Sequence, residues 1–158
     1  MRKWKSFLYF CRGKSKRTSM AYVKKVVLGN RLEEIEKLFS LTAELQGTLG
    51  LPEEIVFNLN LGLEEALTNV ILYAYPGADG EIELLAEESE GTLRFTIQDS
   101  GIAFNPLEEA PEADITSAAE EREIGGLGVY LMKQLMDEIT YERKNGQNIL
   151  CMKKNYKP

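Results

Sequence analysis

Apolar residues recur along this chain with two different periods, and the switches between them mark out its elements. Tyr22–Leu28, with β-branched Val23, Val26 and Val27, predicts a strand. Asn30 offers a helix N-cap. From Leu32 the positions Ile35, Leu38, Phe39, Thr42 and Leu45 then fall at helical spacing until Gly47 and Gly50. Pro52, Glu53 and Glu54 open a second helix, because proline suits the first turn and acids favour the positive end of the helix dipole. Ile55, Leu59, Leu63, Ala66, Leu67, Val70, Ile71 and Ala74 form its broad apolar stripe, which stops at Tyr75-Pro76-Gly77. Glu81–Glu88 and Thr92–Asp99 alternate around Ser89-Glu90-Gly91, the pattern of a hairpin. Periodicity lapses from Ser100 to Ile124, a stretch of prolines, alanines and acids too long for an incidental connection, which reads as a mobile lid over about 102–124. Gly128–Glu138 is helical again, and Ile139–Arg143 and Asn148–Lys153 make a last hairpin around Asn145-Gly146. The order β-α-α-β-β-loop-α-β-β predicts an α+β domain, a two-layer sandwich with helices on one face of a mixed, mostly antiparallel sheet.

Composition narrows the class. At 158 residues with 44% apolar and 28% charged content, the chain has the make-up of one soluble domain over residues 21–158. Its longest unbroken apolar runs, such as Phe7-Leu8-Tyr9-Phe10-Cys11, fall far short of the roughly 18 residues of a membrane span, so no membrane role is expected. Charge is unevenly divided. Arg2, Lys3, Lys5, Arg12, Lys14, Lys16 and Arg17 give residues 1–19 seven positive charges and no acid, while the remaining 12 basic residues face 25 acidic ones. The leader, residues 1–20, is read as a disordered tail, with Met20 a candidate for the true start; the competing reading is a basic contact for nucleic acid, lipid headgroups or an acidic partner. It lacks the apolar core of a secretory signal. An acidic domain argues against nucleic acid as the main partner. Two cysteines without a CxxC, and no histidine, leave no zinc spacing and suit a cytoplasmic protein. The missing histidine also removes the usual general base and the phosphoacceptor of a two-component kinase.

Three short stretches carry candidate chemistry. Glu65 and Asn69 sit four apart on one side of the second helix, at the edge of its apolar stripe. Such a pair can serve one ligand: Asn69 as an oxygen ligand to a Mg²⁺ that keeps its waters and nucleotide phosphates, and Glu65 as base towards a hydroxyl or water attacking the γ-phosphate. Taken alone, these two residues are better read as a solvated helix face. Asp99 shares strand parity with Leu93, Phe95 and Ile97, so its carboxylate aims where the core lies and needs donors. An adenine amino group is one such donor, with Gly101 letting the backbone approach the base; the alternative is that Asp99 caps its own turn. Gly125, Gly126 and Gly128 lie at the start of a helix, where backbone amides bind phosphate without a lysine, or where a lid hinges. The lid carries seven acids and one base, Arg122, a candidate phosphate or partner contact beside its reading as a solvated residue.

In this order and spacing, Glu65-Ala-Leu-Thr-Asn69, Asp99-Ser-Gly101 and Gly126-Leu-Gly128 resemble the N, G1 and G2 boxes of the GHKL family of ATP-binding domains, over roughly Tyr22 to Lys154. Asp99-Ser-Gly-Ile-Ala-Phe-Asn-Pro106 and Gly126-Leu-Gly-Val-Tyr-Leu-Met-Lys-Gln-Leu-Met-Asp-Glu138 are most similar to the anti-sigma-factor serine/threonine kinases within it. The resemblance implies the Bergerat-type ATP-binding fold, ATP and Mg²⁺ as cofactors, Glu65 as catalytic base and Asn69 as the Mg²⁺ ligand. It makes Asp99 and Gly101 adenine contacts, and Gly125, Gly126, Leu127 and Gly128 phosphate-side contacts at the lid. It also implies a STAS-domain anti-anti-sigma protein as the substrate phosphorylated on serine, a sigma factor as alternative partner, and a homodimer. Two positions depart from the family. Ala103 stands where many relatives have a second glycine, and Asn148 where a threonine often lies near the adenine.

A protein-serine kinase in a partner-switching circuit is therefore the expected function. The competing reading is an ATP-gated binding module that sequesters a regulatory partner without phosphotransfer. Glu65 favours the kinase, since a pure binder needs no base there.

Overall fold

The computed structural model describes residues 22–109 and 126–157. The basic leader, Arg122, Gly125 and the lid from residue 110 to 124 lie outside the described residues. Strand β1 is Tyr22–Gly29, and a 3-10 turn over Leu32–Ile35 leads into α1, Glu36–Leu49. Helix α2 is Glu53–Tyr73, β2 is Glu81–Ser89 and β3 is Thr92–Asp99. A single turn, α3 (Pro106–Glu109), precedes α4 (Leu127–Leu135), and β4 (Glu138–Lys144) and β5 (Gln147–Asn155) close the chain.

The five strands form one open sheet in the order β1-β2-β3-β5-β4, with every pairing antiparallel. The α+β two-layer architecture is as expected, and the sheet contains no parallel pair. Both hairpins use two-residue loops, Glu90-Gly91 and Asn145-Gly146, whose residues all have φ between 51° and 83°. This is the left-handed geometry that matches strand twist and that asparagine and glycine adopt at low cost. The register therefore follows from the turn: Lys144 faces Gln147 and Arg143 faces Asn148.

Alternation sends Leu84, Ala86, Phe95, Ile97, Leu150 and Met152 to one face of the sheet, where Leu38, Leu41, Leu45, Leu59, Leu63, Leu67 and Met132 of the helices join them in one core. Helix α2 lies at the centre of this layer, burying Leu59, Gly62, Leu63, Ala66, Leu67 and Ile71. At 21 residues, with a mean hydropathy of 1.2 over an 18-residue window, it is long and apolar enough to cross a bilayer, although its spaced polar residues break up any continuous apolar run. Its apolar face is used here to build the core. Asn30 differs from its expected role as a cap. Its Oδ1 accepts from Gly80 N–H (2.9 Å) and its Nδ2 donates to the Ala78 carbonyl (2.8 Å), so it ties the end of β1 to the loop after α2.

Leu67 is fully buried between helix and sheet. Leu67→Ala is expected to cost about 2–5 kcal/mol, the range for a buried leucine that leaves a cavity, read as a lowered midpoint with unchanged slope in urea unfolding.

Candidate functional site

The end of α2, the turn after β3, α4 and the last hairpin meet around one cleft. It has about 460 Å³ of empty space, open solvent at its mouth included. Asn69, Val70 and Ala74 of the α2 segment, Asp99 at the end of β3, Ile102 and Phe104 beyond it, Met132 of α4 and Tyr141 of β4 line it. The lining is mostly apolar, with Asn69, Asp99, Tyr141 and Asn148 as its polar groups.

Asp99 is 4% exposed, and its Oδ1 accepts from the Gly101 amide (2.9 Å) and from Asn148 Nδ2 (2.8 Å). Its carboxylate thus does cap its own turn, while Oδ2 has no hydrogen bond among the described residues. The self-capping and ligand-binding readings are compatible because they use different oxygens. Burial pushes the Asp99 carboxyl above its ordinary range; the bonds from Asn148 and Gly101 and the Arg143 charge pull it back. Gly101 has its own constraint: a Cβ there would lie 2.3 Å from the Ala74 carbonyl oxygen, so only glycine lets the turn sit on the end of α2. Ile102 N–H donates to that carbonyl (2.9 Å), and Ser100 N–H donates to Tyr75 Oη (2.8 Å). The turn is thereby fastened to the helix that carries Asn69 and Glu65.

Glu65 stands one turn before Asn69 and meets the start of α4. A Cβ at Gly128 would lie 2.3 Å from Glu65 Oε2, so the glycine makes room for the carboxylate. Gly126, with φ 77°, is the N-cap of α4 and has no side-chain partner for the amides that follow. Positive helix-end amides and a carboxylate therefore share one corner of the site. Burial raises the Glu65 carboxyl, and the neighbouring Glu64 charge raises it further. A carboxylate held this way is a stronger base than one in water. Asn69 makes no side-chain hydrogen bond among the described residues, which leaves its amide oxygen open.

Other expected site residues stand differently. Leu127 begins α4 and is 45% exposed. Ala103 is exposed and does not line the cleft, so the absence of a second glycine leaves the cavity's width unaffected. Asn148 lines the cleft, with hydrogen-bond partners on both sides. Arg122 and Gly125 are not among the described residues. Sequence reasoning missed Tyr141, Phe104 and Met132 as lining residues. Tyr141 was legible in principle, two residues before Arg143 on the strand face that the Asn145-Gly146 turn sets against Asn148.

Glu65 also yields a stability test. Its folded pKa lies above the unfolded value, so its contribution favours folding at pH below the ordinary glutamate range and is lost as pH rises through the folded pKa. Glu65→Gln is therefore expected to be more stable than the wild type at pH 7, with that advantage shrinking towards pH 4, as read from denaturant midpoints at the two pH values.

Comparison with known proteins bears on this geometry. A model of the histidine kinase-like ATPase domain matches residues 28–154. The serine-protein kinases RsbW of Bacillus thuringiensis (strain Al Hakam) and Bacillus anthracis are each 28% identical over 114 residues, covering 70% of this chain and 71% of theirs. The crystal structure of the RsbU and RsbW domains of a Mycobacterium tuberculosis protein superposes with a TM-score of 0.60 at 13% identity, over 85% of this chain and 32% of that one. The histidine kinase domain of a blue-light activated kinase from Erythrobacter litoralis gives 0.51 at 19% identity, over 91% and 66%. The two structures show the shared fold, and this chain spans about a third of the mycobacterial one. With the matched segment running from the end of β1 to β5 and taking in the whole cleft, the chain belongs to the histidine kinase-like ATPase domain family.

Proposed function

We propose that this protein is an ATP-dependent serine protein kinase that phosphorylates a STAS-type anti-anti-sigma protein and, in the alternative complex, holds a sigma factor, acting as a cytoplasmic homodimer. The observation that carries the kinase reading is the Glu65 carboxylate, raised by burial and packed over Gly128 at the amide end of α4. The similarity to RsbW serine-protein kinases supports the substrate class.

In this reading the base of ATP lies in the apolar cleft with its amino group donating to Asp99 Oδ2, and the phosphates extend towards the first amides of α4. Asn69 fits a Mg²⁺ ligand. It is a single neutral oxygen with no internal partner, and among the described residues no cluster of three acids, histidines or cysteines offers a metal cage of its own. That is the pattern of a cation held chiefly by phosphates and water. The bound ion would supply charge neutralisation on the phosphates. Glu65 takes the proton from the substrate serine hydroxyl as its oxygen bonds to the γ-phosphorus; the bond from that phosphorus to the β,γ-bridging oxygen breaks, and ADP departs. The nucleotide state then biases which partner is bound, since ATP and ADP differ in what they present at the lid side of the cleft.

Glu65→Gln keeps the shape and removes the base. Phosphoryl transfer to the STAS serine is expected to fall by about 100-fold to 10,000-fold, the usual worth of a general base, while ATP affinity by calorimetry stays near the wild-type value. Transfer at the wild-type rate in this variant removes Glu65 from its role. A nucleotide-dependent complex with the STAS protein that never yields phosphoserine in the wild type identifies an ATP-gated binding module in place of a kinase.

A further inference from the structure

Asn148 has no hydrogen-bonding capacity left for a ligand. Its Nδ2 donates to Asp99 Oδ1 (2.8 Å) and to the Ile102 carbonyl (2.8 Å), and its Oδ1 accepts from Tyr141 Oη (2.7 Å) and Arg143 Nη1 (2.9 Å). A carboxamide has two N–H donors and one oxygen with two lone pairs, so all four are used. Its orientation is also forced, since guanidinium only donates and carboxylate and carbonyl oxygens only accept. Arg143 Nη1 donates in addition to the Gly101 carbonyl (2.9 Å). The arrangement is a cross-strand row on the helix-facing side of the sheet: Asp99 of β3 is opposite Asn148 of β5, which is opposite Arg143 of β4.

We propose that Arg143 and Tyr141 are positioning residues. Through Asn148 they lock the Asp99 carboxylate with Oδ2 as its one free acceptor, and so select a base that carries an exocyclic amino donor. Asn148 is then the relay of this clamp and makes no contact of its own with the base. A base presenting a carbonyl at that point meets acceptor with acceptor, and an immobile Asp99 cannot turn away to relieve it. Arg143 has a second task, because its bond to the Gly101 carbonyl fixes the turn whose amide also holds Asp99. The clamp rests on the reading of this cleft as a nucleotide site.

Charge and geometry act in the same direction. Among the described residues, the titratable and charged groups around Asp99 are Arg143 and Tyr141 from β4 and Tyr75 beyond the end of α2; β2 sets Ile82 opposite Asp99 and β5 sets Asn148. Arg143 is the cation among them, and it works against the burial that favours the protonated acid. Loss of Arg143 thus lets the acid form appear at higher pH, and the affinity for an amino-bearing base falls off earlier on acidification.

The test is calorimetric titration of the full chain with Mg-ATP and Mg-GTP from pH 5 to 8, on the wild type, Arg143→Met, Arg143→Lys and Asn148→Asp. Arg143→Met is expected to raise the Kd for ATP about tenfold, the worth of one hydrogen bond to a charged group, to narrow the ATP-over-GTP preference, and to move the acidic fall in affinity to higher pH. Arg143→Lys, which keeps the charge on a single donor nitrogen, is expected to restore most of the pH profile. Asn148→Asp sets acceptor against acceptor, and its expected loss is on the order of a hundredfold. If Arg143→Met lowers only the melting temperature, with ATP affinity, base preference and pH profile as in the wild type, Arg143 is a structural tie and the proposal is overturned. Wild-type protein that binds neither nucleotide overturns the nucleotide reading and this inference with it. Wild-type protein that binds ATP beside an unaltered Arg143→Met overturns this inference alone.

Discussion

A carboxylate buried at the end of a strand must be met by donors, and in this protein the donors of Asp99 come from segments far apart in sequence. The amide of Gly101 comes from its own turn and the Asn148 amide from the last strand. Each of these has to be held in turn. Gly101 sits against the Ala74 carbonyl, where any side chain would collide, and Asn148 is fixed by Tyr141 and Arg143. The requirement to satisfy one buried acid therefore fixes how the end of α2, the turn after β3 and the final hairpin sit relative to one another. Leaving such a group unpaired costs more than any one of these bonds returns, so the assembly behaves as a unit.

A second close approach completes the site from the other side. Glu65 occupies the space that the missing side chain of Gly128 leaves, so α2 and the amide end of α4 meet through a carboxylate. Its desolvation opposes stability at neutral pH and raises its basicity. Stability given up for reactivity in one residue is common where a site must act on a substrate. The apolar stripe of α2 lets the fold carry that cost, because the buried leucines on either side of Glu65 belong to the same helix.

Much of this was legible in the chain. The period of the apolar positions located each strand and the three long helices, and the two-residue loop Asn145-Gly146 dictated that Arg143 faces Asn148. The three motif stretches singled out Glu65, Asn69, Asp99, Gly101, Gly126 and Gly128 as candidates, and the structure brings them to one region. What the sequence could not supply was which oxygen of Asp99 is spent internally, since that depends on β5 pairing with β3 across nearly fifty residues. Asn30 illustrates the same limit. A residue suited to cap the helix beside it instead bonds to Gly80 and Ala78, because tertiary closure offered it better partners than the local turn. Ala103 looked like part of the pocket from its place in the motif, but the turn carries it outward.

The position of β5 has a consequence for how the molecule comes into being. The final strand is an interior strand of the sheet, between β3 and β4, and it delivers the relay that holds Asp99. A nascent chain that has emerged as far as α4 has both helical walls of the cleft but lacks the second neighbour of β3 and the second donor to its terminal acid. The cleft is thus incomplete until β5 has been made. Loss of β5 would open the middle of the sheet, where loss of an edge strand would only narrow it.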